Sequence, residues 1–280
     1  MNVMITGSKG QLGSQLVELG LPGADIFDYD LDMDITDSSA VKKEFLKVKP
    51  GLVIHCAAYT DVDGCEQKKE LCYKVNTEGT LKLAKEAKKH NSDFLFLSTD
   101  YVFDGTKKIP YVETDRPHPI SVYGDSKYKA EKIIRGLLDN YYIVRTTGIY
   151  SRFGKNFVDT ILKGAETSQK LCIVDDQVCT PTYSLDLARC IKELVSSKRF
   201  GIYHATNQGQ CTWYHFTKRI FELMGVDTRL MPICSSKLNR KAKRPAYSVL
   251  DNHNLEANQI FFMRSWEEAL KDFLKKDYGK

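Results

Sequence analysis

Tyr123 and Lys127 open a segment of helical periodicity, four positions apart, so a helix places both on one face and lets both reach one ligand. A phenol with the ordinary pKa of about 10 relays protons poorly at neutral pH unless nearby positive charge favours its anion. Moving it to about 7 takes roughly 4 kcal/mol, within reach of one ammonium in a partly desolvated cleft helped by a second positive charge. A third group stands upstream, where the apolar run Phe94 to Leu97 ends in Ser98-Thr99-Asp100-Tyr101. A hydroxyl-rich turn at the carboxyl end of a buried parallel strand lies where such sheets bind ligands. Together the three suit carbonyl chemistry: Tyr123 protonates the oxygen, Lys127 lowers the phenol's pKa, and Thr99 hydrogen-bonds the carbonyl. Tyr-x-x-x-Lys alone is a weak signal in a chain with 15 tyrosines; its order relative to a second motif gives it weight.

That motif is Gly7-Ser8-Lys9-Gly10-Gln11-Leu12-Gly13, which follows a predicted strand and opens a predicted helix. The spacing is G-x-x-G-x-x-G. Glycines there let the chain turn tightly and let a pyrophosphate approach the N–H groups at the positive end of the helix. The next strand ends in Asp28-Tyr29-Asp30, with Asp32-Met33-Asp34-Ile35 beyond it, where an acidic side chain meets the adenosine ribose of a dinucleotide. Asp28 or Asp30 accepts hydrogen bonds from a free 2′-hydroxyl and repels a 2′-phosphate. This favours NADH over NADPH, while Lys9 nearby offers a partner for a phosphate. Lys127 is then also placed to hold the cofactor ribose.

The elements that must position these groups follow from periodicity. Short apolar or β-branched runs (Val3 to Thr6, Ala24 to Tyr29, Leu52 to Cys56, Phe94 to Ser98, Tyr142 to Arg145) alternate with helical segments (Gln11 to Leu19, Ser39 to Val48, Leu71 to Lys89, Lys127 to Leu138). Such alternation describes crossovers and a parallel sheet covered on both faces. The fold class expected is α/β, a Rossmann-type doubly wound parallel sheet over residues 1–147. A smaller C-terminal α/β substrate-binding domain is expected over 148–280, with some segments returning to the first. In that half Leu171 to Val174 and Ile202 to Ala205 read as strands, and Ser184 to Ser196, Thr212 to Met224 and Ser265 to Lys275 as helices. Ser265 caps the last helix, and Glu267 and Glu268 stand in its first turn.

With 42% hydrophobic and 28% charged residues among 280, the composition is that of a globular protein, and no apolar run approaches a membrane span. The opening Met1 to Gly7 reads as a strand and not a signal peptide, so the expected location is the cytoplasm. Eight cysteines without C-x-x-C pairs suggest neither disulfides nor a metal centre. A net charge of +5, with one cluster from Lys237 to Arg244, points to an anionic small molecule and away from nucleic acid or a membrane.

These residues resemble the extended short-chain dehydrogenase/reductase family, and within it the reductases of nucleotide-linked 4-keto-6-deoxysugars of the dTDP-4-dehydrorhamnose type. The likeness runs through Thr6-Gly7 to Gly13, Cys56 to Asp63 with Glu66, Val75-Asn76, Ser98 to Gly105, Tyr123 to Lys127, Arg145-Thr146 and Asn156-Phe157. It continues through Asp176-Gln177, Thr180 to Thr182, Trp213-Tyr214, Arg244-Pro245 and Ser248. The resemblance implies reduction of a 4-keto group with NADH or NADPH, on the path to dTDP-L-rhamnose. It implies that Gly7, Gly10, Gln11, Leu12, Asp34, Ile35, Ala57, Ala58, Tyr59, Tyr123 and Lys127 contact the dinucleotide. It makes Thr99, Tyr123 and Lys127 catalytic, and it turns Asp100, Tyr101, Val102, Asn156 and Arg244 toward the sugar nucleotide. A guanidinium fork at Arg244 suits a diphosphate.

One departure concerns the sugar: after Arg145-Thr146-Thr147 the chain has Gly148 where these reductases typically carry Trp, and a lost ring leaves room for another sugar. Some such reductases need magnesium at a subunit contact. No carboxylate cluster here calls for it, so no metal ligand is assigned, and a homodimer is compatible with the sequence. Sugar-nucleotide dehydratases usually carry Asp-Glu after Ser-Thr, whereas Asp100 is followed by Tyr101, which disfavours dehydration. Two alternatives stand beside the reductase: a related keto-sugar nucleotide reductase or epimerase using the same Tyr and Lys, and a non-catalytic NAD(P)-binding regulatory subunit. Intact Thr99, Tyr123 and Lys127 weigh against the second.

Overall fold

The computed structural model describes residues 1–279. Its centre is a six-stranded parallel sheet of β1 (Asn2–Thr6), β2 (Asp25–Tyr29), β3 (Leu52–His55), β4 (Asp93–Thr99), β5 (Tyr141–Thr146) and β6 (Gly201–His204). The spatial order is β6-β5-β4-β3-β1-β2. From β1 the chain moves one way to β2, and from β3 onward it moves the other way. The order therefore reverses between β1 and β3, and a crevice opens beyond their carboxyl ends.

Successive side chains on a strand point to opposite faces, and the two sides of this sheet differ accordingly. Val3, Ile5 and Leu95 pack on one face with Leu12 and Leu16 of α1 (Gln11–Leu19). Met4, Phe94 and Phe96 pack on the other with Val41 and Phe45 of α2 (Ser38–Val48), Leu83 and Ala87 of α3 (Thr80–His90) and Ala130 and Ile134 of α4 (Val122–Leu137). Each such fully buried side chain contributes roughly 1.5–3 kcal/mol, so a one-residue slip of any strand is strongly disfavoured.

Two segments of the C-terminal half belong to this sheet. Strand β6 pairs in parallel with β5, and α5 (Ser184–Ser197) lays Leu187, Ile191 and Leu194 beside α1 in the first core. The rest forms a separate cluster in which Tyr150, Phe216, Trp266 and Phe273 are buried. It joins helices Phe157–Thr167, Trp213–Met224 and Trp266–Tyr278 to a parallel strand pair, Lys170–Val174 with Arg229–Ile233. The last helix starts on a full capping box between Ser265 and Glu268.

Several elements differ from expectation. The one helix anticipated over Leu71 to Lys89 is three pieces, Lys69–Tyr73, a π turn Lys74–Gly79, and α3. Within that turn Asn76 donates to the Tyr59 carbonyl at 3.1 Å and to Ser126 Oγ at 3.0 Å, and it accepts from Tyr59 N at 2.7 Å. These tertiary bonds accompany the local widening. Helix Phe157–Thr167 and strand Arg229–Ile233 go unassigned in the sequence reading, although Asn156 caps the helix through Asp159 N.

Candidate active site

The turn after β1 is built by backbone contact. Gly7 has φ +70°, and a Cβ on it would stand 2.6 Å from Ala57 N; one on Gly13 would stand 2.1 Å from the Gly7 carbonyl. No side chain caps α1, and its first turn holds no acidic residue. Its first N–H groups therefore face the crevice as ready anion donors. A cavity of about 690 Å³ opens there, lined by Gly7, Gly10, Gln11, Leu12, Asp30, Asp34, Ile35, Ala57 and Ala58 among others. Asp30, not Asp28, is on this lining, and Asp28 is exposed on β2. Lys9 is exposed and off the cavity, whereas Lys155 lines it.

A second cavity of about 290 Å³ adjoins it and shares Gln11, Cys56, Ala58, Thr60, Leu97 and Ile149. Thr99, Asp100, Tyr101, Tyr123 and Lys127 line this smaller space. Tyr123 sits in the first turn of α4, whose N-cap Ser121 accepts from Gly124 N at 3.1 Å while Glu66 accepts from Val122 N at 2.8 Å. Gly124 backs directly onto the Tyr101 carbonyl, where a Cβ would stand 2.1 Å away. That close approach puts Tyr123 on the wall of the same cavity as Thr99. The Tyr101 ring meets it edge-on, with centroids 5.9 Å apart.

Electrostatics correct one expectation. Tyr123 is held above the usual phenol range by burial and by the negative charge of Asp100, with only the Thr99 hydrogen bond working the other way. Lys127 is itself pushed down to about 7 by burial, partly offset by Cys56 and Glu131. A desolvated ammonium loses its proton more readily, so the polypeptide by itself does not depress the phenol. One turn beyond Lys127, the buried Glu131 takes a forked pair of bonds from Arg145 (3.0 and 2.7 Å) and one from Ser98 at 2.5 Å.

Asp100 is pushed up to about 6 by burial, against hydrogen bonds from Ser248, Thr147 and Thr99. Thr99 Oγ1 donates to Asp100 Oδ1 at 3.0 Å. With Asp100 ionised, the single Thr99 proton is committed there, so the expected donation from Thr99 to a substrate carbonyl competes with this bond.

Four expected residues stand off both cavities. Tyr59 is tied by its backbone to Asn76. Val102 is fully buried in a cluster with Phe103, Tyr111 and Leu250. Asn156 spends its side chain on Ser151 O, Asp159 Oδ2 and Asp159 N. Arg244 pairs with Asp63 at 2.8 Å, holding that carboxyl down at about 2, and donates to the Ala242 carbonyl at 3.1 Å.

Other features of the lining were not anticipated. Gln11 Oε1 and Thr146 Oγ1 are buried without a hydrogen-bond partner at the two cavities. Trp213 lines the smaller one, and its Cη2 would lie 3.2 Å from a Cβ on Gly148. The room expected from the missing ring at 148 is thus partly filled by a ring from another element. Only the Trp213-Tyr214 likeness pointed there.

The sequence pattern of the RmlD substrate binding domain family matches residues 1–278. The chain belongs to that family. Among members of known structure similar to this RmlD-family chain is a dTDP-4-dehydrorhamnose reductase of Clostridium acetobutylicum, 41% identical over 99% of both chains with a TM-score of 0.96. Another, from Bacillus anthracis and solved in complex with NADP, is 37% identical, covers 98% of this chain and 99% of its own, and also has a TM-score of 0.96. The spore coat polysaccharide biosynthesis protein SpsK of Bacillus subtilis is 38% identical over 98% of this chain and 96% of its own length. In this family member no helix is long and apolar enough to cross a membrane, among the described residues.

Proposed function

We propose that this chain reduces the 4-keto group of a nucleotide-linked 6-deoxysugar, the reaction its relatives are named for as dTDP-4-dehydrorhamnose reductases. One observation carries the reading: Tyr123, Lys127 and Thr99 together line a small cavity that opens through shared walls into a dinucleotide-sized one. The residues present fit a nicotinamide dinucleotide, since the uncapped end of α1 offers N–H donors beside glycines that leave no room for a Cβ. When bound, that coenzyme supplies hydride.

The chain's own residues do the rest. Gly7, Gly10, Gln11 and Leu12 hold the diphosphate, Asp30 takes a ribose hydroxyl, and Asp34, Ile35, Ala57 and Ala58 wall the adenosine side. Tyr123 delivers a proton to the ketone oxygen, and Lys127, one turn along, steadies the developing negative charge. Asp100, Tyr101 and Thr146 line the sugar's space, and Arg244, held by Asp63, presents a cation toward the nucleotide diphosphate past Tyr101. Asp30 favours NADH, while Lys155 on the same wall offers NADPH a phosphate partner, so both coenzymes serve, with NADH preferred.

The test is a panel of keto-sugar nucleotides assayed with each reduced coenzyme. Oxidation of the coenzyme with a dTDP-4-keto-6-deoxysugar supports the reading. Coenzyme binding without turnover of any keto-sugar would replace it with the regulatory-subunit alternative.

A further inference from the structure

One buried carboxylate joins three elements behind the smaller cavity. Glu131 of α4 has no exposed surface, and its partner Arg145 of β5 is 1% exposed. Arg145 donates through Nε to Oε1 at 3.0 Å and through Nη2 to Oε2 at 2.7 Å, and Ser98 Oγ of β4 donates to Oε1 at 2.5 Å. Ser98 and Arg145 stand opposite one another in the register of β4 and β5. The next pair in that register is Thr99 and Thr146, and both line the smaller cavity. On the helix Glu131 follows Lys127 by four residues and Tyr123 by eight, so the three share one face. Its bonds therefore tie the face that carries the phenol and the ammonium to the strand ends that carry the two hydroxyls.

Arg145 is held on its far side as well. Its Nη1 lies 3.4 Å from Nε2 of His204 on β6, and its guanidinium lies 5.2 Å from the centre of the Phe103 ring. His204 Nδ1 stands 3.0 Å from the Tyr111 carbonyl and 3.1 Å from that of Asp251, so Nδ1 carries the ring hydrogen and Nε2 accepts.

Burying an ion pair is a poor way to gain stability, since desolvating two charges offsets most of their attraction and an apolar pair of similar volume often does as well or better. What the pair adds is direction. Ala130 and Ile134 pack α4 on the sheet through apolar contacts, which tolerate sliding and rotation of a helix. A planar fork joined by a hydroxyl bond does not. We propose that Glu131 is a positioning residue: clamped to Ser98 and Arg145, it fixes the rotation and axial position of α4 so that Tyr123 and Lys127 face the space that Thr99 and Thr146 line. The inference rests on the ketone reduction proposed above, in which Tyr123 and Lys127 act on the ketone oxygen. Proton transfer needs its heavy atoms within hydrogen-bond reach, and a misplacement of about 1 Å costs on the order of 100-fold in rate.

Glu131→Leu combined with Arg145→Met removes both charges at once and leaves neither partner buried alone. The double variant should melt near the wild-type temperature or above it. In the full-length enzyme its kcat, counted per titrated coenzyme site, should fall about 10- to 100-fold, with KM for the keto-sugar nucleotide near wild type. Arg145→Lys keeps the charge and loses the fork. It should lose most of the same activity, and it decides the matter if the double variant folds poorly.

A merely structural role gives a different result: fewer folded chains, fewer coenzyme sites, and a normal kcat at each site that remains. That result, or an unchanged kcat in a stable double variant whatever its KM, or a full kcat in Arg145→Lys, would overturn the proposal. A wild-type protein that binds coenzyme yet reduces no keto-sugar nucleotide would overturn the reduction and the clamp together, whereas an active wild type with equally active variants overturns the clamp alone.

Discussion

The ammonium of Lys127 stands 4.0 Å from the centre of the Phe96 ring, on a side chain that is 2% exposed. The aromatic face attracts the cation, while burial, outweighing the opposing influence of Cys56 and of Glu131 one turn away, brings the lysine down to about 7. Strand β4 and helix α4 thereby hold a cation in a place that disfavours it.

Stability should carry the mark of that placement. The folded-state pKa lies below the unfolded value of 10.5, so the unfolded chain binds the extra proton between the two. The lysine's penalty is absent above the unfolded pKa and grows as pH falls toward 7. Lys127→Met should abolish turnover yet stabilise the fold at pH 7 by on the order of 1–4 kcal/mol, a gain that shrinks toward pH 10. Denaturant melts at both pH values check this, and an equal change at both would remove the argument.

Tyr123→Phe removes one hydroxyl and keeps the ring that packs edge-on to Tyr101. Turnover should drop by about 10²- to 10⁴-fold while coenzyme affinity stays close to wild type. Steady-state kinetics beside a coenzyme titration separate the two quantities. Retained turnover would exclude the phenol as the proton donor.

The phosphate-binding turn has no room for a Cβ at Gly7 or Gly13. Gly13→Ala would press a methyl to 2.1 Å from the Gly7 carbonyl, which should cost roughly 1–3 kcal/mol of stability and most of the coenzyme affinity. Gly136→Ala in α4 is the control: a Cβ there meets nothing within 4 Å, and the fold should gain about 0.5–1 kcal/mol. Thermal melts with and without coenzyme report both.

Trp213 shapes the sugar space where Gly148 has no side chain. Trp213→Ala should raise KM for a compact 6-deoxysugar nucleotide and admit bulkier sugars, with kcat changed less than KM. Gly148→Trp should instead impair folding or substrate entry, because the site has φ +55° and its Cβ would stand 3.2 Å from Trp213. Competition among keto-sugar nucleotides of different size measures the first effect.

Asp30→Ala should narrow the gap between the coenzymes by raising KM for NADH and lowering it for NADPH, since a carboxylate repels a 2′-phosphate. An unchanged ratio of kcat/KM values would place the ribose elsewhere on the cavity wall.

Much of the scaffold is legible in the sequence. The bounds of α1 emerged from helical period alone, and β1, β2, α2, β3, β4 and β5 emerged within a residue or so, because each is an unbroken periodic run between turn residues. The glycine turn and the Tyr-x-x-x-Lys pair were equally plain, being local patterns with fixed spacing. The π turn at Lys74–Gly79 was not, since it goes with bonds from Asn76 to residues distant in sequence. Nor was the inactivity of Val102 and Asn156 at the cavities: one is spent on an apolar cluster and the other on a helix cap.

The chain by itself determined the order of strands and helices, the phosphate-binding turn, and the types of group available for proton transfer, because these depend on neighbours a few positions away. Which groups meet was decided only by the tertiary structure. The return of β6 and α5 to the sheet, the ring of Trp213 against Gly148, and the meeting of Tyr123 with Thr99 and Asp100 at one cavity all join segments far apart in sequence. The charges of Lys127 and Asp100 belong to the same class, since they are set by how much water the surrounding packing removes, and spacing along a chain does not encode that.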